Sequence, residues 1–234
     1  MSPFLGEFIG TMLLIIMGDG VVANVVLNKT KGNNSGWIVI TIGWAMAVFL
    51  GVYASNKLGG DGHLNPAVTI AMTAFNNFDY SLLLTYIAAQ FSGAIVGAIV
   101  VWLAYKQHFD ETADGNAKLA VFSTGPAIRN TPHNLITEII GTFVLVFGAM
   151  AMSQPPTFVT LDALPVALLI LGIGLSLGGP TGYAINPARD LGPRIAHFIL
   201  PIKNKRDSDW GYSWIPVVGP ILGALLAAYL FKLI

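Results

Sequence analysis

The stretch Gly62-His63-Leu64-Asn65-Pro66-Ala67-Val68-Thr69 decides how this chain is read, because its tripeptide Asn65-Pro66-Ala67 returns later. The second copy is Asn186-Pro187-Ala188, within Gly182-Tyr183-Ala184-Ile185-Asn186-Pro187-Ala188-Arg189-Asp190. In each copy the Asn is a good helix N-cap and the Pro sits at the first helical position, where a missing N–H costs nothing. Each tripeptide is therefore expected to start a helix. The first such helix has only ten residues, Pro66 to Phe75, before the polar pair Asn76-Asn77. At ~1.5 Å per residue it spans ~15 Å, about half the ~30 Å hydrocarbon core of a bilayer. A short capped helix behind a Gly-rich loop reads as a re-entrant half-helix, tolerated in a membrane only where protein buries it or water lines it.

Composition supports the membrane setting. Hydrophobic residues make up 54%, charged residues only 10%, and the mean hydropathy is +0.68, too apolar for a soluble domain of this size. The net charge is zero, which gives no reason to expect nucleic acid as a partner. Cysteine is absent, removing disulfides, thiolate metal sites and cysteine nucleophiles. No metal or cofactor is expected. The N-terminal apolar run has neither a basic leader nor a small-residue cleavage site, so it reads as a retained first span.

Six stretches are long and apolar enough to span: 4–27, 36–53, 82–105, 135–152, 164–178 and 215–233. The two half-helices fall between spans two and three and between spans five and six. Loops are expected at 32–36, at Gln154-Pro155-Pro156 and at Gly178-Gly179-Pro180. Residues 106–133 carry scattered charge without apolar periodicity and read as a solvent-exposed connector. The fold class expected is an all-α membrane protein, with six transmembrane helices plus two re-entrant half-helices, in a single domain. Glu7-x-x-Gly10-Thr11 matches Glu138-x-x-Gly141-Thr142, and Gly93-x-x-x-Gly97 matches Gly219-x-x-x-Gly223. Repeat one then covers about 1–107, the connector about 108–133 and repeat two about 134–234. Three spans per repeat is an odd number, so the second repeat enters with opposite orientation and the half-helices meet N-terminus towards N-terminus at the midplane.

Two facing helix N-termini concentrate positive partial charge at that point. Asn65 and Asn186 add amide donors there. The approach segments cannot be helical, and the carbonyls of Asp61, Gly62, His63, Gly182, Tyr183 and Ala184 are expected to form a ladder of acceptors opposite apolar side chains. Such a wall replaces the hydrogen bonds of water or a polyol without supplying the charges an ion needs. Arg189, on the first turn of the second half-helix, reads as a fixed charge and a fork of donors barring protons and cations. Glu7 and Glu138 read as buried scaffold carboxylates that accept N–H groups from the non-helical loops. The Gly-x-x-x-Gly pairs read as close helix packing.

Paired Asn-Pro-Ala half-helices, Glu-x-x-Gly-Thr openings and an Arg after the second tripeptide resemble the major intrinsic proteins, the aquaporins and glycerol facilitators. Asp190 and Arg194, with Pro216-Val217 opening the last span, resemble the aquaglyceroporin branch. The resemblance implies a homotetramer in the cell membrane, one pore per subunit, and both termini cytoplasmic. The distribution of Lys and Arg, counted alone, would put the N-terminus outside; the resemblance is followed instead. It also implies a selectivity filter of Arg189, Tyr183, Gly174 and one residue of span two. Aligning Gly43-Trp44-Ala45-Met46-Ala47 with the family puts that residue at Ile40. Counting back from Asn65 gives Ala45; Ile40 is preferred, on the view that the extra residues of 53–60 belong to a loop. An Ile there would remove an aromatic wall and widen the filter. Asp19, within span one, departs from the family pattern and is assigned a structural role near a helix end.

The function expected is a passive channel for glycerol, water and other small uncharged solutes, including undissociated hydroxy acids such as lactic acid, with ions and protons excluded. A secondary transporter also has inverted repeats and broken helices but needs an ion site or titratable relay. An intramembrane hydrolase needs a nucleophile with a base or facing aspartates, and Ser92, Ser176, His63, Asp19 and Asp190 show no such pairing.

Overall fold

The computed structural model describes residues 1–152 and 163–234; the loop expected at Gln154-Pro155-Pro156 lies outside them. The order of elements is α1 (Pro3–Val26), α2 (Trp37–Leu58), α3 (Pro66–Phe75), a 3₁₀ turn (Tyr80–Leu82), α4 (Leu83–Ala104), α5 (Lys106–Glu111), α6 (Gly115–Phe122), α7 (Thr131–Met152), α8 (Leu164–Leu177), α9 (Pro187–Ile199) and α10 (Ile215–Leu233). Of these, α1, α2, α4, α7 and α10 are long and apolar enough to cross a bilayer. The described part of α8 has 14 residues. The half-helices are α3 and α9.

Local sequence accounts for most of these boundaries. Ser2 caps α1 by accepting from the Leu5 N–H at 3.2 Å, with Pro3 at the first helical position. Asn65 and Asn186 cap α3 and α9 in the same way, each accepting an N–H from the residue two ahead at 3.0 Å. Span two departs from the expected end at Tyr53. It continues to Leu58, because 54–58 contains no breaker before Gly59, which caps the helix in the left-handed region at φ 95°. The extra residues therefore lie in a helix and not in a loop.

The connector also departs from the reading of 106–133 as an open, solvent-exposed segment. Two short helices, α5 and α6, occupy it and bury Phe109, Leu119, Val121 and Phe122. Asp114 caps α6 through the Asn116 N–H at 2.8 Å. The Phe122 ring meets Phe109 and His197 with centroids 5.5 and 5.4 Å apart, so α6 is seated on α9 as well as on α1. Most charges of the segment point outward, Lys118 being buried where it donates to the Lys203 carbonyl, while the aromatic residues roof the bundle; a charge count alone hides that division.

Two packing relations set the site. Within each repeat the first and last spans are in close contact: a Cβ added at Gly93 of α4 would come within 2.3 Å of the Phe8 carbonyl oxygen. One added at Gly223 of α10 would come equally close to that of Ile139. Between repeats the half-helices are exchanged, with α3 lying chiefly against α10 and α9 chiefly against α4. Each repeat thus closes on the other's short helix.

Candidate functional site

Glu7 and Glu138 determine the two loops that precede the half-helices. Glu7 is fully buried and accepts the His63 and Leu64 N–H groups at 3.0 and 2.8 Å, together with Ser55 Oγ and Gln90 Nε2. Glu138 accepts the Ala184 and Ile185 N–H groups at 3.0 and 2.8 Å, together with Thr181 Oγ1. These bonds hold Leu64 (φ 51°), Tyr183 (φ 40°) and Ile185 (φ 44°) in the left-handed region, which costs about 1–3 kcal/mol for a residue with a side chain.

A trans peptide unit sets its C=O opposite to its N–H. Turning the N–H groups of 63, 64, 184 and 185 towards the glutamates therefore turns the carbonyls of Gly62, His63, Tyr183 and Ala184 away from them. Among the described residues those four carbonyls accept no hydrogen bond. The ladder stops at the midplane. There Asn65 Nδ2 donates to the Ile185 carbonyl and Asn186 Nδ2 to the Leu64 carbonyl, both at 2.8 Å. This reciprocal clasp takes one N–H of each amide and leaves each Asn a second donor. The Asp61 carboxylate accepts from the Tyr86 hydroxyl.

A cavity of about 190 Å³ runs along this surface. Gly62, His63, Asn65, Asn186, Tyr183 and Arg189 lie on its wall, with Leu14, Val48, Val52, Leu145 and Ile170 among the apolar residues that complete it. Asp61, Gly182, Ala184, Pro66, Ala67, Pro187 and Ala188 are outside that lining; the Pro and Ala residues are buried where the half-helices begin.

At one end the wall comes from four elements. Arg189 lies on the first turn of α9, and its guanidinium carbon stands 4.0 Å from the centre of the Trp44 ring. Trp44, from α2, lines the cavity; Ile40, one turn earlier, is buried and is not part of the lining. The span-two residue on this lining is therefore Trp44, where the sequence reading expected Ile40, and Ala45 is buried away from the lining too. The physical reason is on α1, where Gly18 admits the ring: a Cβ there would fall 2.2 Å from Trp44 Cζ3. Gly174 acts from behind. A Cβ on it would meet the Tyr183 ring at 2.9 Å and Thr41 Cγ2 at 2.9 Å, so its bareness seats Tyr183 and does not itself line the opening. Trp37 fixes the same corner by donating from Nε1 to the Gly174 carbonyl at 3.0 Å and meeting Tyr183 edge-on.

Behind Arg189, NH1 donates to the Phe122 carbonyl at 3.4 Å and faces Asp19 Oδ1 at 3.6 Å. Asp190 and Arg194 form a separate buried pair at 2.8 Å. Asp190 Oδ2 accepts from the Thr124 N–H and hydroxyl, while Arg194 donates to the carbonyls of Thr124 and Ser208. Their task is to pin the connector so that Phe122 presents its carbonyl to Arg189. The sequence reading missed Trp44, Phe122 and the placement of Asp19. Asp19 could have been found from charge balance, since a buried acid and a buried guanidinium at membrane depth call for each other. It is not near a helix end, because α1 runs on to Val26.

Comparison with known proteins agrees along the whole chain. A family description, the major intrinsic proteins, matches residues 1–231. A probable glycerol uptake facilitator protein of Thermotoga maritima is 58% identical over 232 residues, covering 99% of each chain. A glycerol uptake facilitator protein of Streptococcus pneumoniae is 55% identical over 233 residues, covering 100% of this chain and 99% of the relative. In three dimensions the chain is similar to the aquaglyceroporin of Plasmodium falciparum, with a TM-score of 0.87 and 31% identity over 98% of this chain and 94% of that one. With its several apolar spans and its paired half-helices, the chain belongs to the major intrinsic protein family and is a multi-pass membrane protein.

Proposed function

We propose that this chain is a passive channel, not an enzyme, carrying glycerol, water and other small uncharged solutes through the cell membrane. The observation that carries this reading is the two-sided cavity, with free carbonyls, two amide donors and Arg189 on one side and apolar side chains on the other. A polyol can trade its water shell for that polar wall while its carbon edge slides along the apolar one. An ion finds positive helix ends and no compensating ligands. The Trp44 and Tyr183 rings beside Arg189 support a filter that holds the carbon edge of glycerol between aromatic walls, narrower than an Ile at that place would give. The names of the relatives, glycerol uptake facilitators, point the same way. Undissociated hydroxy acids such as lactic acid fit the same chemistry, whereas their anions do not. We assign to the same reading a single domain of two inverted repeats, a homotetramer with one pore per subunit, and cytoplasmic termini.

Stopped-flow swelling of vesicles containing the purified protein tests the reading. Glycerol and water fluxes are expected to be non-saturating and independent of any ion gradient. Lactic acid flux is expected to rise as the pH falls below that of its own half-dissociation. Saturable flux driven by a proton or sodium gradient would replace the channel with a secondary transporter.

A further inference from the structure

We propose that Asp19 is a positioning residue for Arg189 that also cancels its charge at the constriction; this rests on the channel reading above. Asp19 lies on α1 with no exposed surface, and neither carboxylate oxygen has a hydrogen-bond partner among the described residues. A buried carboxylate without partners is costly, so something must hold it there. The facing cation is Arg189, whose NH1 is 3.6 Å from Oδ1. The other buried acid of that region, Asp190, is committed to Arg194 and Thr124 and cannot share Arg189.

This arrangement divides the guanidinium. NH1 is drawn back towards Asp19 and the Phe122 carbonyl, and the guanidinium carbon lies over the Trp44 ring. Nε and NH2 donate to nothing among the described residues and remain for a solute. Two donors held at fixed spacing match two neighbouring hydroxyls of a polyol, whereas a single water needs only one. The neighbouring residue Gly18 admits the Trp44 ring, so consecutive positions of α1 set both the aromatic and the charged member of the filter. With two acids set against two guanidiniums, the constriction offers donors without net positive charge. Anions are then refused for the same reason that cations are.

The test is Asp19→Asn, which keeps the shape and removes the charge, in vesicles assayed for water and glycerol flux and in bilayers assayed for nitrate current. Wild-type protein runs alongside, since failure of its own glycerol flux would overturn the channel reading separately. For the variant we expect water flux to persist, the glycerol-to-water ratio to fall on the order of tenfold, and a nitrate current to appear. An unchanged ratio overturns the proposal. A lowered ratio with nitrate still excluded overturns the charge-balancing role. If the variant conducts no water, Asp19→Glu decides: regained water flux with a near wild-type ratio supports an acid partner for Arg189, and its absence overturns it.

Discussion

The loop before α3 and the loop before α9 are built to one plan, yet they are secured differently. Glu7 holds the first loop with help from α2 and α4 of its own repeat, through Ser55 and Gln90. Glu138 holds the second with Thr181 alone beside the two backbone groups. What the second loop lacks in local support comes from elsewhere: the Ala127 N–H of the connector donates to the Pro180 carbonyl, Asp190 and Arg194 fasten α9 to Thr124 of the connector, and Asp19 reaches Arg189 from the opposite repeat. Under the proposed channel reading, the difference teaches that the matched parts make the polar path and the unmatched parts make the selectivity. Arg189, Trp44 and Tyr183 have no counterparts at the other end of the cavity, where His63 stands among Phe78 and Tyr86.

The largest effect is expected from removing the shared support. Glu7→Ala or Glu138→Ala leaves two backbone N–H groups buried and unpaired, at about 1–3 kcal/mol each. Both variants are expected to lose all flux and melt earlier in detergent. Flux and thermal stability measured on the pair sharpen the comparison, because Glu7→Ala also takes one hydrogen-bond partner each from Ser55 and Gln90 and is expected to be the less stable. Wild-type melting of either one would break it.

Next in size is Arg189→Val. Among the described residues of the cavity wall, Arg189 on the first turn of α9 carries the only guanidinium, ammonium or carboxylate, so its loss is expected to leave water flux in place and raise proton leak by about an order of magnitude. Proton conductance in vesicles measures this. Unchanged leak and unchanged solute preference would make Arg189 a scaffold residue and erase the asymmetry.

Gly174→His is expected to act through Tyr183. The new side chain must displace the Tyr183 ring and Thr41 Cγ2, pushing the ring into the opening. Glycerol flux is expected to fall several-fold more than water flux. Equal loss of both would mean that the change blocks or unfolds the pore.

The smallest contrast is between neighbours on α2. Trp44→Phe is expected to admit polyols bulkier than glycerol while keeping an apolar wall. Ile40→Val, a loss of one methyl away from the lumen, is expected to cost about 0.5–1.5 kcal/mol of stability and to leave solute preference alone. Swelling rates across a series of polyols separate the two. A change of preference in the Ile40 variant would return that residue to the filter.

Much of this molecule was legible in order along the chain. Asn65-Pro66 and Asn186-Pro187 encode their helix starts within three residues, since capping and the Pro ring act locally. The lengths of the spans follow from the bilayer, and the matched Glu7 and Glu138 could be read as a pair because the repeat places them alike. The connector misled because its charged residues and its buried Phe109 and Phe122 alternate without a clear period.

What tertiary structure alone decided is which side of each span faces the opening. α2 is apolar all round, so no periodicity marks its lumenal stripe. Aligning Gly43-Trp44-Ala45-Met46-Ala47 with the family puts the position one turn early, at Ile40, and counting back from Asn65 puts it at Ala45, one residue beyond Trp44. The rotation is fixed by contact with α1, where Gly18 leaves room for one large ring and Asp19 faces one guanidinium. Motifs governed by the chain's own backbone chemistry can be read from sequence, whereas a filter assembled from α1, α2, α8 and α9 exists only once close packing has set those helices against one another.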